Sequence, residues 1–151
     1  MIHTISNQSI TREWRPKIEE IAAFSIRPQI ASVLEAAADR ALAVLEADAS
    51  IPAAVEVVSL SDLTEVPTHI GSIRVAVIRD GFDGGDERHA NSDQVLLSLR
   101  GSGETHVETD AGWRTDRYGG GGRALDDRWH VVPATVWHKS AAPGLGHCIA
   151  A

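Results

Sequence analysis

The sequence predicts a mainly β domain of barrel or sandwich type with an N-terminal α-helical extension, and three observations carry that prediction. Apolar residues recur at helical spacing over roughly the first fifty positions, the period falls to two from Val55 onward, and the later strand candidates are separated by glycine-rich turns. At 151 residues the chain has room for one domain, large enough to bury an ordinary core without disulfides or metals as staples.

The helical part comes first. Pro16 suits a first helical position, and Ile18, Ile21 and Ala22 then share a stripe that excludes Glu19 and Glu20. Pro28 repeats the device. After it Ile30, Val33, Leu34, Ala37, Ala38, Ala41, Val44 and Leu45 keep helical spacing, with Glu35, Asp39 and Glu46 on the other side. The segment is also rich in alanine, the best helix former. Asp48-Ala49-Ser50-Ile51-Pro52 ends it, so residues 1–52 are expected to form a helical extension and residues 53–151 the β domain. The extension is expected to pack on the outside of the barrel or against a second subunit.

The strand candidates follow at short intervals: Val55 to Leu60, Ile73 to Ile78, Val95 to Leu99, Thr105 to Val107 and Trp129 to Val132. Asp80-Gly81, Asp83-Gly84-Gly85, Gly101-Ser102-Gly103, Asp110-Ala111-Gly112 and the run Gly119 to Gly122 separate them. Short strands so spaced indicate a sandwich or barrel, not a parallel α/β sheet. The four-glycine run lacks the Lys-Ser/Thr and the helix of a phosphate loop and reads as a hairpin tip.

Composition excludes several classes of function. The single cysteine, Cys148, rules out an internal disulfide framework and a cysteine-rich metal knuckle. A net charge of −7 with aromatic residues at only 5% leaves neither the positive footprint nor the stacking rings that nucleic acid requires. No apolar run approaches the ~18 residues that span a bilayer, and Met1 to Ile10 lack a secretory pattern. The expectation is a cytoplasmic protein with a small-molecule ligand and neither a nucleic-acid nor a membrane partner.

The chemistry concentrates between Gly81 and Gly101. Glu87 and His89, two apart on an extended stretch, point to one face, and Gln94 opens an apolar strand. A second segment, Val131-Val132-Pro133-Ala134-Thr135-Val136-Trp137-His138, ends a strand in proline, turns, and resumes with a histidine. Two distant segments thus offer nitrogen and oxygen ligands at strand positions.

These residues resemble the two motifs of the cupins. In the first motif Gly81 and Gly101 occupy the framing glycine places, Glu87 the first histidine place, His89 the second, and Gln94 the glutamate place. In the second motif Pro133 and His138 are kept, whereas Asp127, Thr135 and Ala142 stand at the places of two glycines and an asparagine. The resemblance covers residues 55–151 and implies a cupin-type β-barrel, a jelly roll or double-stranded β-helix. It also implies a divalent metal ion (iron, manganese, zinc or nickel) held by Glu87, His89, Gln94 and His138. Two histidines and a carboxylate still satisfy a facial triad, with Gln94 as a neutral fourth ligand or a neighbour that holds water.

The implied activity is a metal-dependent small-molecule reaction of dioxygenase, isomerase or lyase type. The alternative is a binding or sensing module that has lost its metal. Leu96 and Ser98, in phase with Gln94, are expected to line the substrate pocket, with Trp137 as a wall. Arg88, Arg100 and Arg123 are candidate clamps for an anionic substrate, and Tyr118 is a candidate acid or lid. His130 reads as a packing or surface residue with pocket lining as the lesser alternative, His106 as solvated, and the His147–Cys148 pair as too poorly aligned for nucleophilic catalysis. His3 and His69 carry no signal. An amphipathic extension beside exposed barrel faces favours a homodimer.

Overall fold

The computed structural model describes residues 7–119, 128–142 and 148–150. Two helices come first, α1 (Asn7–Ser25) and α2 (Pro28–Ala47). Among the described residues eight strands follow: β1 (Ala53–Val58), β2 (Ile73–Ile78), β3 (Gln94–Arg100), β4 (Ser102–Thr109), β5 (Gly112–Gly119), β6 (Trp129–Val132), β7 (His138–Ala141) and β8 (Cys148–Ala150). Among the described residues, no helix is long and apolar enough to cross a membrane.

All strand pairs are antiparallel and form two sheets. One runs in the order β1-β2-β8-β3-β6 and the other β5-β4-β7. The segment after β2 extends the smaller sheet, because Asp83 and Glu87 bridge to Ala141 and His138 beside β7. The layers are therefore helices, five-stranded sheet and three-stranded sheet, with the interior between the two sheets.

The middle layer explains the sequence of β2. Val75 and Val77 face the helices and pack with Phe24, Ile30, Leu34, Ala37, Ala38, Ala41 and Leu45. Ile78 faces the opposite way and clusters with Tyr118 and Ala142. A strand buried on both faces has no polar alternation to show. The stripe expected on α2 is the buried one, and Pro28 stands in its first turn, as expected. Arg79, just past β2, ties the layers together by donating to the carbonyl of Leu45 in the last turn of α2 and to those of Asp48 and Ile51 beyond it.

Two expectations change. Helix α1 runs through Pro16 instead of starting there, because an interior proline costs a helix one hydrogen bond, here to the carbonyl of Arg12, without ending it outright. The strand β5 is not among the strand candidates. Trp113-Arg114-Thr115-Asp116-Arg117-Tyr118 has polar residues on both faces, so no apolar alternation marks it, yet it pairs with β4 along its whole length. Of the glycine run, Gly119 ends β5, and Gly120 to Gly122 lie outside the described residues.

Candidate metal centre

Backbone pairing builds the site before any side chain does. The amide of Glu87 donates to the carbonyl of His138 (2.8 Å) and the amide of His138 donates back to Glu87 (3.0 Å). Directly opposed residues project to one face, so the two side chains meet. Gly81 and Gly101, the glycines that frame this stretch, have φ of 80° and 74°, where other residues are strained.

The turn before His138 is fixed from both sides. The Thr135 amide donates to the His89 carbonyl (2.7 Å) and the Ala134 amide to the Asp93 carboxylate (2.8 Å). Val136 closes the turn on the Pro133 carbonyl. Thr135 holds φ of 69° at the position where such a turn favours glycine. The glycine of the motif is gone, but the backbone shape it served is retained at the cost of strain in a β-branched residue.

Four side chains converge on this frame. The ligand atoms of Glu87, His89 and His138 all lie within 4.8 Å of one another. His138, fully buried, directs Nε2 at Glu87 Oε1 (3.1 Å) and at Gln94 Oε1 (2.7 Å). Its Nδ1 faces the carbonyl of Val136 at 3.0 Å. A carbonyl only accepts, so Nδ1 carries the proton and Nε2 of the neutral ring presents its lone pair to the cluster. The His89 ring sits 5.4 Å from that of His138. Its Nε2 is buried and has no hydrogen-bond partner among the described residues, with Oε2 of Glu87 at 3.9 Å.

The electrostatics agree with this geometry. The hydrogen bond from His138 is the main cause that holds the Glu87 carboxyl below its usual range, against the effect of its own burial. Burial pushes His138 down, but the hydrogen bonds to Glu87 and Val136 outweigh it and the net shift is upward. Glu87 Oε1, Gln94 Oε1 and the Nε2 lone pair of neutral His138 all offer electrons to one point. The Gln94 amide nitrogen also donates to Glu87 Oε1 at 3.5 Å, and a cation at the focus, either a proton on His138 or a metal ion, satisfies the remaining lone pairs. The unpartnered nitrogen of His89, which a proton on His138 does not satisfy, fits the metal.

The remaining sequence candidates are distributed differently. Leu96 and Ser98 are buried on the same face of β3 as Gln94, and the Ser98 hydroxyl donates to the Gly101 carbonyl. Trp137 faces outward, 41% exposed, with the Arg88 guanidinium 4.9 Å from its ring centre; alternation with the buried His138 puts it outside, so it is not an interior wall. Arg100 is engaged by Glu35 and Asp39 of α2, on the helix side of the sheet, which removes it from a clamp in the interior. Tyr118 is buried against Ile78 and Ala142 and is not a lid. Arg123, His3 and His147 lie outside the described residues, as does the side chain of Cys148. His106 is on the outer face, bonded to Thr115 and near Glu104, and His69 is paired with Glu20. A surface depression of about 380 Å³, lined by Pro52, Gly81, Phe82, Asp83, Ala141 and Ala142, includes none of the four clustered residues.

Of the roles expected for His130, packing or surface with pocket lining as the lesser alternative, its burial excludes the surface one. It pairs with Leu96 across β3 and β6 and is 11% exposed, with Nε2 at 3.7 Å from the Asp116 carboxylate. Burial is the main cause that lowers its pKa to about 4, opposed by Asp116 and helped by the charges of Arg114 and His138.

No protein-family model and no curated protein matches the chain. Solved structures do resemble it. Peruvianin-I, described as a cysteine peptidase from Thevetia peruviana latex, aligns with a TM-score of 0.52 at 14% identity, over 67% of this chain and 60% of its own. An oxalate decarboxylase of Lactobacillus farciminis in its formate complex aligns at 0.52 and 16% identity, over 66% of this chain and 27% of its own. A recombinant oxalate oxidase in complex with glycolate aligns at 0.52 and 11% identity, over 67% of this chain and 49% of its own. The chain thus spans between about a quarter and three fifths of these neighbours, and at such identities the likeness is one of fold.

Proposed function

We propose that this chain, which has the cupin fold, binds a divalent metal ion through Glu87, His89 and His138 and acts on a small molecule between its two sheets. The observation that carries the reading is the unpartnered, buried Nε2 of His89, aimed into a cluster whose other ligand atoms lie within 4.8 Å. Two imidazoles and one carboxylate are the donor set of non-haem iron sites and also suit manganese; Gln94 adds a neutral oxygen beside them. An ion held there supplies a Lewis acid that polarises a substrate oxygen.

The chain's own residues do the rest. Val136 fixes the tautomer of His138, Glu87 supplies the negative charge that balances a cation, and Gln94 orients both through its amide. Buried Leu96, Val107 and Val132 keep bulk water from the interior, which strengthens every electrostatic contact there. Oxalate-processing enzymes among the structural neighbours make bond cleavage or oxidation of a small organic acid a natural reaction class.

The test is metal analysis of protein purified without a chelating tag. The expected result is near-stoichiometric iron, manganese, zinc or nickel, lost in His89→Ala and His138→Ala. One observation favours a second reading, a metal-free binding module: Glu87 and Gln94 already meet His138 at hydrogen-bond distance. A folded, metal-free protein with no affinity for added ions establishes that alternative and overturns the first.

A further inference from the structure

The interior contains a charged group that the metal cluster does not use. Across β5, β4 and β7, Arg114, Val107 and His138 stand directly opposite one another, and so do Asp116, Thr105 and Ser140. Opposed residues project to the same face. His138 and Thr105 are fully buried and Val107 nearly so, whereas the alternating row of His106, Lys139 and Thr115 meets solvent, so the Arg114 face is the inner one. Arg114 therefore stands on the inner face of its strand, at the rim of the interior, in the same row as a residue of the cluster.

Its geometry is that of a presented fork. Nε donates to both carboxylate oxygens of Asp116 (3.1 Å each) and Nη2 to one of them (2.8 Å). Nη1 has no partner among the described residues. Asp116 is 14% exposed and Arg114 37%, which places the pair at the rim of the interior rather than in open solvent. Two more polar atoms on this inner surface, Thr105 Oγ1 and His130 Nε2, are buried without hydrogen-bond partners among the described residues. Buried polar atoms without partners are rare in folded proteins, and a bound water, ion or polar ligand is one way they are satisfied.

We propose that Arg114, held by Asp116, is the anchor for a carboxylate of the small-molecule ligand, with Thr105 and His130 completing a polar wall beside it. This rests on the reading of the interior as a ligand site and assigns that ligand's class: an organic acid. A guanidinium recognises a carboxylate with directed, charge-assisted bonds, and a half-buried one does so with little competition from water. The strands of Arg114 and His138 are about 10 Å apart, two strand spacings, so one small molecule can reach the anchor with one end and the cluster with the other.

The experiment titrates metal-free and Mn²⁺-loaded protein calorimetrically with glycolate, malonate and benzoate and with the corresponding neutral amides. At least one acid is expected to bind, with its amide weaker by about tenfold or more. Arg114→Met is expected to lower acid affinity by at least about tenfold with metal content unchanged, and Arg114→Lys, which keeps the charge but not the fork, to fall between. If Arg114→Met does not fold, Arg114→Lys decides: unchanged acid affinity overturns the anchor. Equal affinity in wild type and Arg114→Met, amides as tight as acids, or no acid binding in either form also overturns it. A wild-type chain that takes no metal yet binds acid through Arg114 overturns the metal reading and leaves the anchor standing.

Discussion

At the scale of single residues, environment decides what each histidine does. His138 and His130 are both buried on the inner face, yet their proton affinities move in opposite directions because one has Glu87 at 3.1 Å and the other has only a distant Asp116, with Arg114 opposing it. His130 titrates near 4 in the folded chain against 6.5 ordinarily, so between those values the unfolded state binds the extra proton and folding loses stability as pH falls. The loss amounts to roughly 3 kcal/mol by the bottom of that window. His138 acts in the other sense: its stabilisation is complete below 6.5 and fades as pH rises through its elevated folded value. Urea unfolding of metal-free protein is therefore expected to show greatest stability near pH 6.5, and His130→Gln to flatten the acid limb. An acid limb of unchanged slope in His130→Gln would assign the loss elsewhere.

At the scale of elements, α2 is a structural layer of the domain. Its buried stripe shares one apolar cluster with β1 and β2, so the face of β2 opposite the barrel interior depends on it. Leu34→Ala is expected to cost about 2–5 kcal/mol in denaturant unfolding, the range for a truncated core leucine, while leaving metal affinity unchanged. A cost within about 0.5 kcal/mol, as for a surface position, would show the helix to be a dispensable cover. Strand β5 illustrates the opposite situation. It has few apolar residues to bury, and its place is set by continuous pairing with β4, which is what turns Arg114 and Asp116 inward.

At the scale of the whole molecule, the cluster joins parts of the chain some fifty residues apart, Glu87 from the segment after β2 and His138 from β7. Unfolding separates them, so an ion that binds only the assembled site stabilises the entire fold. At a free ion concentration of a hundred times the dissociation constant the gain is about 2.7 kcal/mol. Thermal or urea unfolding with increasing Mn²⁺ is expected to show that increment in wild type and lose it in His89→Ala. The same increment in His89→Ala would move the ion to another site.

Much of this protein was legible in its sequence. The change of period from helical to alternating separated the helices from the strands, and the spacing from Gly81 to Gly101 together with Pro133 and His138 nominated four residues that the structure brings together. Such features are local: period and spacing are properties of the chain itself, and φ above zero at Gly81 and Gly101 follows from turns that glycine alone makes easily. What only the tertiary structure decided is which face of each strand is the inside. Alternation names two faces without saying which is buried, and a shift of register by one residue exchanges them. Hence Trp137, expected in the pocket, belongs to the outer surface, while His130 and Arg114 face inward; Arg100, in phase with Gln94 and Ser98, reaches the helix side because the pairing of β3 with β8 shifts register between Ser98 and Arg100. A charged strand with no apolar face looks like surface until its neighbours enclose it, and that is the physical reason why Arg114 could be found only in the folded chain.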